Sequence, residues 1–403
     1  MWDVVNGKRK QQSLILRAVF IAMIAQCVRL SARTIPAAAQ DDTSSQEVSD
    51  KEPVREVHRP KRIMEQSGGD PRGLADLTVC SQNLKLFGTY QVLKSRDSKY
   101  SIKKHRMKVE ELAERFTGQK CDVIGVQEVL GKNEDESKAA LKELAEELRF
   151  RTNRFYDIRV APPAEGKMTV GFLVAQDRAQ ITNSLAYSRI ELPRINKKQK
   201  PRLFSRTPLE IQLAVAARNG DSVRVVSIIN FHLKSKRGGE ADPTGLEWET
   251  YRMEMAEALR RIIEIRHANA LAAPASILLV LGDRNSHFDV ATARILEGSL
   301  TLASFAENGP CRLSKRAVPI CQAGAEQPRK LFSVLTSNPA TQSLPGTFSY
   351  RGEYSWLDDI LMPSESLSFA WLTPHSEGKY DSGVVYKPED ASDHAMVYVR
   401  LNW

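Results

Sequence analysis

Cysteine is scarce in this chain: five in 403 residues, with no CxxC pair. That excludes a small disulfide-stapled scaffold and removes the usual signature of a structural zinc site. Long apolar runs are scarce too. The one conspicuous stretch, residues 18–28, is too short for a comfortable membrane span, and nothing like it recurs. No internal repeat is present. A strong charge imbalance is also missing once the start of the chain is set aside. The net charge is +9, but residues 1–39 hold six basic side chains against Asp3, a net +5. Only +4 remains beyond them, so net charge argues weakly for a nucleic-acid partner.

What is present begins with a recognisable order at the N-terminus. Lys8-Arg9-Lys10 precedes the apolar stretch, and Ala37-Ala38-Ala39 follows it before Gln40. Basic, apolar and small residues in that order read as a signal peptide over residues 1–39, with an uncleaved anchor as the alternative. The expected location is therefore secreted or periplasmic. Residues 40–72 are polar, without apolar periodicity, and read as a disordered linker. The remaining segment, 73–403, is long enough to bury a sizeable core. Of the cysteines, Cys311 and Cys321 lie in a loop-like region where an oxidising compartment would let them pair. Cys80 and Cys121 lie at buried strand positions and read as plain core thiols.

Strand character is read at 77–82, 122–126, 155–160, 169–174, 209–215, 223–229, 277–281, 347–350, 355–361 and 395–401. Helical periodicity covers 105–116, with Val109, Leu112 and Phe116 on one face. It recurs over 137–148, where Ser137 is placed to cap, and over 247–268, with Tyr251, Met255, Leu259 and Ile262 facing inward. Many strands with few helices between them predict two packed sheets with helices outside. Residues 303–346 read as a loop-rich surface insertion.

The informative pattern is polar residues directly after apolar strands, because rigid strands can aim their end residues into a shared cleft. Residues 277–281 lead into Gly282-Asp283-Arg284-Asn285, which delivers an acid for a water and an amide for a phosphate oxygen. A plain Gly-Asp turn is the competing reading. Residues 122–126 lead into Gln127-Glu128, a carboxylate that a hard cation would explain. Residues 228–235 carry His232, a proton donor or acceptor near neutral pH, followed by Lys234. Asp393-His394 precede the last strand. Asp358-Asp359 put two acids inside an apolar strand, where one must face inward and needs a partner. His58, His105, His267, His287 and His375 have no comparable setting.

Taken in order, these motifs resemble the endonuclease/exonuclease/phosphatase superfamily, and within it the DNase I-like enzymes. Asn83 in SQNLKLFG is similar to the first motif and Gln127-Glu128 to the second. Phe204-Ser205-Arg206-Thr207-Pro208 is similar to the segment that places an arginine on a phosphate. His232, Asp283 with Asn285, Asp358 and Asp393-His394 complete the set. HLKSKRGG and TFSYRGEYSWLDDILM also resemble secreted bacterial nucleases. The resemblance runs from about residue 76 to the end of the chain.

It implies an α/β fold, a four-layer α/β sandwich of two packed mixed β-sheets flanked by helices. It implies a metal-dependent phosphodiesterase, with His232, Asp283, Asn285, Asp358 and His394 catalytic. Asn83, Arg206 and Lys234 would bind substrate, and Glu128 and Asp393 a metal. The metal implied is Mg²⁺, with Mn²⁺ as a substitute and Ca²⁺ a further candidate. The implied partner is a nucleic acid, with a phospholipid headgroup as the alternative, acted on by a monomer without a protein partner. A non-catalytic binding protein on the same fold is the reading from a different class. Three departures from the family pattern stand out. Arg284 occupies a position that is small or apolar in many members. The acid that supports the first histidine is replaced near Met168 and Glu165. Lys85 stands where the abasic-site branch has a metal-linked acid.

Overall fold

The computed structural model describes residues 75–403 apart from 165–167, 221, 237–245, 273–275, 306, 308, 342–343, 351, 373–378 and 387–390. The expected signal peptide and linker therefore lie outside the described residues.

The first half of the described chain gives β1 (Leu77–Phe87), α1 (Tyr90–Arg96), α2 (Ile102–Gly118), β2 (Val123–Leu130), α3 (Glu134–Thr152), β3 (Tyr156–Val160), β4 (Met168–Ala175), β5 (Ala179–Ala186), β6 (Leu209–Ala216) and β7 (Val223–His232). The second half gives α4 (Glu249–Arg266), α5 (Ala268–Ala272), β8 (Ile277–Asp283), α6 (Ala291–Leu296), β9 (Cys311–Leu313), β10 (Pro319–Cys321), β11 (Leu331–Ser333), β12 (Phe348–Tyr350), β13 (Glu353–Ser355), β14 (Asp358–Pro363), β15 (Ser382–Val385) and β16 (Met396–Leu401).

Two six-stranded sheets result, ordered β15-β16-β1-β2-β4-β3 and β11-β14-β8-β7-β6-β5. Each contains one parallel pair, β1 with β2 and β7 with β8, among antiparallel neighbours. Parallel strands need a crossover, and helices α1–α2 and α4–α5 supply them. Alternation along each strand then builds four layers. On β8, Ile277, Leu279 and Leu281 enter the core between the sheets, while Leu278 and Val280 pack under α4 and α6. On β1, Leu77 and Val79 face the other sheet, while Cys80 and Leu84 pack under α2 and α3. Strands buried on both faces read as unbroken apolar runs. Each fully buried leucine stabilises this arrangement by roughly 2 kcal/mol.

Three sequence expectations need correction. Cys80 and Cys121 form a disulfide, with Cα atoms 5.9 Å apart. Each residue does sit in the core, but sheet pairing places the end of the α2–β2 turn beside β1, which composition does not reveal. Cys311 and Cys321 also pair, opposite each other in the β9–β10 hairpin. The cap of α3 is Asn133, whose side chain accepts the Glu136 N–H at 2.9 Å; Ser137 lies buried one turn inside. Residues 303–346 are more than a surface insertion. β11 completes the edge of the second sheet against β14, and Val334 and Leu335 enter its core.

Candidate active site

Three neighbouring strands of the second sheet bring their ends into one row. β7 and β8 run parallel with His232 opposite Asp283, and β14 runs antiparallel with Asp358 opposite the same Asp283. Residues opposite each other across a ladder share a face, so pairing register alone sets the three side chains together. Each is only 1% exposed. Gly282 permits the close approach. Its φ is 145°, and a Cβ there would collide with the Phe231 carbonyl oxygen.

The first sheet supplies the facing wall by different means. Asn83 on β1 lies opposite Gln127 on β2, and both strands shift register just beyond that pair. Lys85, Leu86 and Glu128 adopt positive φ of 49°, 55° and 61°. Bulges of this kind re-aim side chains at sheet ends. One bulge fastens the other, since the Glu128 carboxylate accepts the Leu86 N–H at 2.9 Å. His394, just before β16, is oriented locally. Its N–H donates to Ser392 Oγ at 3.1 Å, and the Ser392 hydroxyl donates to the Asn83 carbonyl at 2.7 Å. The Phe348 ring packs 4.7 Å from its imidazole.

The walls meet at Asp283. Its Oδ1 accepts the Asn285 N–H at 2.7 Å and its Oδ2 accepts the Asn83 amide at 3.0 Å. His232 Nε2 lies 3.5 Å and His394 Nε2 lies 3.9 Å from that same Oδ2. Behind His394, Nδ1 is 2.7 Å from Asp358 Oδ2, so the histidine that Asp358 holds is His394. Burial, reinforced by the Asp358 charge, pushes the Asp283 carboxyl up to about 7. Burial disfavours charge on His394, but the Asp358 carboxylate, helped by Asp283 and Asp393, outweighs it and pushes His394 up to about 10. Burial drives His232 well below its ordinary value, and Arg206, His394 and Lys234 add to the effect. At neutral pH the two imidazoles are thus in opposite states, His394 charged and His232 neutral. His232 Nδ1 has no partner among the described residues.

Among the described residues, Asp283, Asp358 and His394 form a group whose ligand atoms lie within 4.8 Å of one another, close enough to hold an ion. Asp358 is already engaged with the His394 imidazole, and both Asp283 oxygens accept hydrogen bonds. This group is better suited to handling protons than a cation. Glu128 and Asp393, the metal ligands expected from the sequence, both act on the Lys108 ammonium and so lie on one side of the site. Lys85 Nζ stands 3.6 Å from Asp393 Oδ2, and Lys108 Nζ donates to the Lys85 carbonyl at 2.6 Å. Burial pulls Lys108 down to about 8, opposed by Glu128 and Asp393.

A cationic rim surrounds these acids. Arg206 Nη1 donates to the Leu233 carbonyl at 3.2 Å, and Asn285 Nδ2 donates to that carbonyl at 3.1 Å. The turn after His232 therefore anchors both candidate phosphate contacts. Burial lowers the Arg206 guanidinium, with Glu128 and Asp283 sustaining its charge. The Lys234 ammonium lies 4.5 Å from the Trp248 ring centroid, and its carbonyl accepts from Arg252, itself paired with buried Glu249. Arg284 turns away from the site to pair with Asp359 at 2.9 Å, which accounts for the departure at that position.

Sequence reasoning missed the polar bracing beneath the site. Gln127 donates to Asn230 Oδ1 at 2.8 Å, and the Asn230 amide donates to the Val126 and Gly171 carbonyls, so one buried pair ties the sheets together. Thr347 accepts the Leu357 and Asp358 amides on its hydroxyl and fixes the start of β14. Buried amides inside apolar strands were the available signal, though only the paired sheets reveal their partners. His105 and His267 are structural, bonded to Glu143 and Glu210, and half-exposed His287 pairs with Asp289. His58 and His375 lie outside the described residues.

No protein-family model matches this chain, and no curated protein matches it. Solved structures do. The human Nocturnin catalytic domain with bound sulfate is 16% identical over 81% of this chain and 94% of that one, with a TM-score of 0.47. A D. rerio TDP2 humanised by 14 mutations is 15% identical over 81% and 99%, with a TM-score of 0.46. An endonuclease/exonuclease/phosphatase family protein from Leptotrichia buccalis is 14% identical over 81% and 100%, with a TM-score of 0.47.

Proposed function

We propose that this chain is a secreted, Mg²⁺-dependent phosphodiesterase of the endonuclease/exonuclease/phosphatase superfamily, acting on nucleic acid. The observation that carries this reading is Asp283, set between a charged and a neutral histidine and opposite a second, oxygen-rich wall. The donors fit the metal. Carboxylates at Glu128 and Asp393 with the Asn83 carboxamide are hard oxygen ligands of the kind Mg²⁺ takes. Bound there, the ion would neutralise charge on the phosphate and the leaving oxygen.

The chain's own groups then have distinct tasks. Asn285 and Arg206 bind non-bridging phosphate oxygens. Asp283, pushed up to about 7, accepts a proton from the attacking water as the new P–O bond forms. His394, kept charged by Asp358, gives its Nε2 proton to the leaving oxygen as the ester P–O bond breaks. Neutral His232 donates a hydrogen bond toward the developing charge. Both disulfides support an oxidising compartment, in line with the export signal read at residues 1–39. Among the described residues no helix is long and apolar enough to cross a membrane.

The test is turnover of plasmid DNA, RNA, sphingomyelin and a phosphoinositide, each with Mg²⁺ or with a chelator, and with His232→Ala in parallel. Chelator-sensitive cleavage of DNA or RNA is expected, weakened by the substitution. Turnover of a lipid with nucleic acid left intact would overturn the substrate assignment, and no turnover at all would overturn the enzyme.

A further inference from the structure

The positive charge of the described domain is concentrated in two places. Residues 40–74 carry a net −2, so of the chain's +9, with +5 in residues 1–39, residues 75–403 hold +6. Seven of the fifteen residues from Lys94 to Lys108 are Lys or Arg against one acid, Asp97. Six of the fourteen from Arg189 to Arg202 are Lys or Arg against one acid, Glu191. These two segments hold +11 together, and the rest of the domain is net −5.

Topology puts both at the catalytic end. The first segment follows the end of β1 that carries Asn83 and runs into the start of α2. The second joins β5 to β6, whose first residue, Leu209, pairs with Asn230 near the His232 end of β7. They lie on opposite outer layers. α2 covers the first sheet, while the 189–202 loop is pinned to α4 by Arg202 on buried Glu254 at 2.6 Å and by the Ile195 N–H on the same carboxylate. Each segment lines a groove. One, of about 270 Å³, is lined by Lys103, Lys104 and Lys108 with Glu111. The other, of about 590 Å³, has Arg194, Lys197, Arg261 and Glu191 beside a larger number of apolar side chains such as Leu192 and Ile262, so its charge lies along the rim. Each also leads into the site, the first through Lys108 to Lys85 and the second along the chain to Arg206.

We infer that these segments form a two-sided cationic track that holds a polynucleotide on both flanks of the scissile phosphate, so that cleavage is internal. The inference rests on the phosphodiesterase reading and extends it to substrate form. A single headgroup or mononucleotide would engage the centre and leave both grooves unused, whereas a polymer passing through the centre neutralises both. An anionic membrane is the less suited partner, because an interfacial binder presents one face whereas the two basic segments lie on opposite outer layers. Tyr350 and Tyr354 do stand exposed on the β12–β13 hairpin, so vesicle binding is one arm of the test.

The test uses Lys103→Glu/Lys104→Glu and Lys197→Glu/Lys198→Glu, four exposed positions outside the catalytic set. Binding of a labelled oligonucleotide of about 30 nucleotides is measured by anisotropy in chelator, so it does not depend on turnover. Hydrolysis of bis(p-nitrophenyl) phosphate with Mg²⁺ is measured separately. Each pair is expected to weaken oligonucleotide binding about tenfold or more at low salt and to flatten the log K against log salt slope by about 1.4–1.8. Small-diester hydrolysis should stay within about twofold. Unchanged oligonucleotide binding in either variant overturns the two-sided track, as does tighter binding to phosphatidylserine vesicles than to the oligonucleotide. Absent small-diester hydrolysis in the wild type counts against the phosphodiesterase reading instead, and leaves the binding result to decide the track.

Discussion

The two sheets contribute to one centre but hold their polar residues differently. In the second sheet, regular register sets His232, Asp283 and Asp358 in a row, each on an unbroken ladder position. In the first sheet, both central strands bulge, and Glu128 reaches the site from a backbone with φ of 61°. Ladder positions place atoms rigidly, which suits proton transfer between fixed groups. A bulge turns a carboxylate out of the sheet, which suits an ion with its own ligand geometry. The positive φ at Glu128 persists because the surroundings over-determine it, among them the Leu86 N–H that its carboxylate accepts.

Substitutions can break this division of labour. The largest effect is expected for Asp283→Asn, which keeps the shape and removes the base. Activity should fall by about 10⁴, and added Mg²⁺ should not restore it. Glu128→Gln should lower activity by about 10² at low Mg²⁺, with substantial recovery at high Mg²⁺, read as a shift in the metal titration. Equal rescue of both variants by metal would erase the distinction between the walls.

A pH profile sharpens the comparison further. The acid limb of kcat/KM should rise through about 7 as Asp283 loses its proton, and the alkaline limb should fall near 10 as His394 loses its own. Asp358 raises both groups, so Asp358→Asn should move both limbs to lower pH while reducing activity about 10²-fold. The same shifts act on stability. A group whose folded pKa is raised favours the fold below its unfolded value and loses that contribution as pH rises through the folded one. Asp283 and His394 should therefore make stability decline from about pH 4 to 7 and again from about 6.5 to 10, measurable by denaturant melts.

Two smaller effects test the first sheet. Replacing Cys80 and Cys121 with alanine should cost about 4 kcal/mol for a bridge separated by 41 residues. Hydrogen exchange should then quicken in β1 and β2 before it does in β7 and β8. Lys85→Ala removes the ammonium 3.6 Å from Asp393 and should tighten Mg²⁺ binding a few-fold, read by calorimetry.

Much of the molecule was legible in local pattern. Unbroken apolar runs such as 277–281 marked strands buried on both faces, and polar residues directly beyond them marked one end of the sheets. The motif order named ten site residues, and Asn83, Glu128, His232, Asp283, Asp358 and His394 do converge. Short elements were harder. β15 and β11 carry too few residues for a periodic signal, and the stretch 355–361 breaks at Trp356-Leu357 into β13 and β14.

Composition and spacing thus determined which segments form strands and which polar residues stand at their ends, because burial and alternation are local properties of a strand. The tertiary structure alone decided that Asp358 holds His394, that Arg284 turns to Asp359, and that Cys80 meets Cys121. Those partnerships depend on pairing register and on the facing of two sheets. Both are set by contacts between residues far apart in the chain, which no local window of sequence contains.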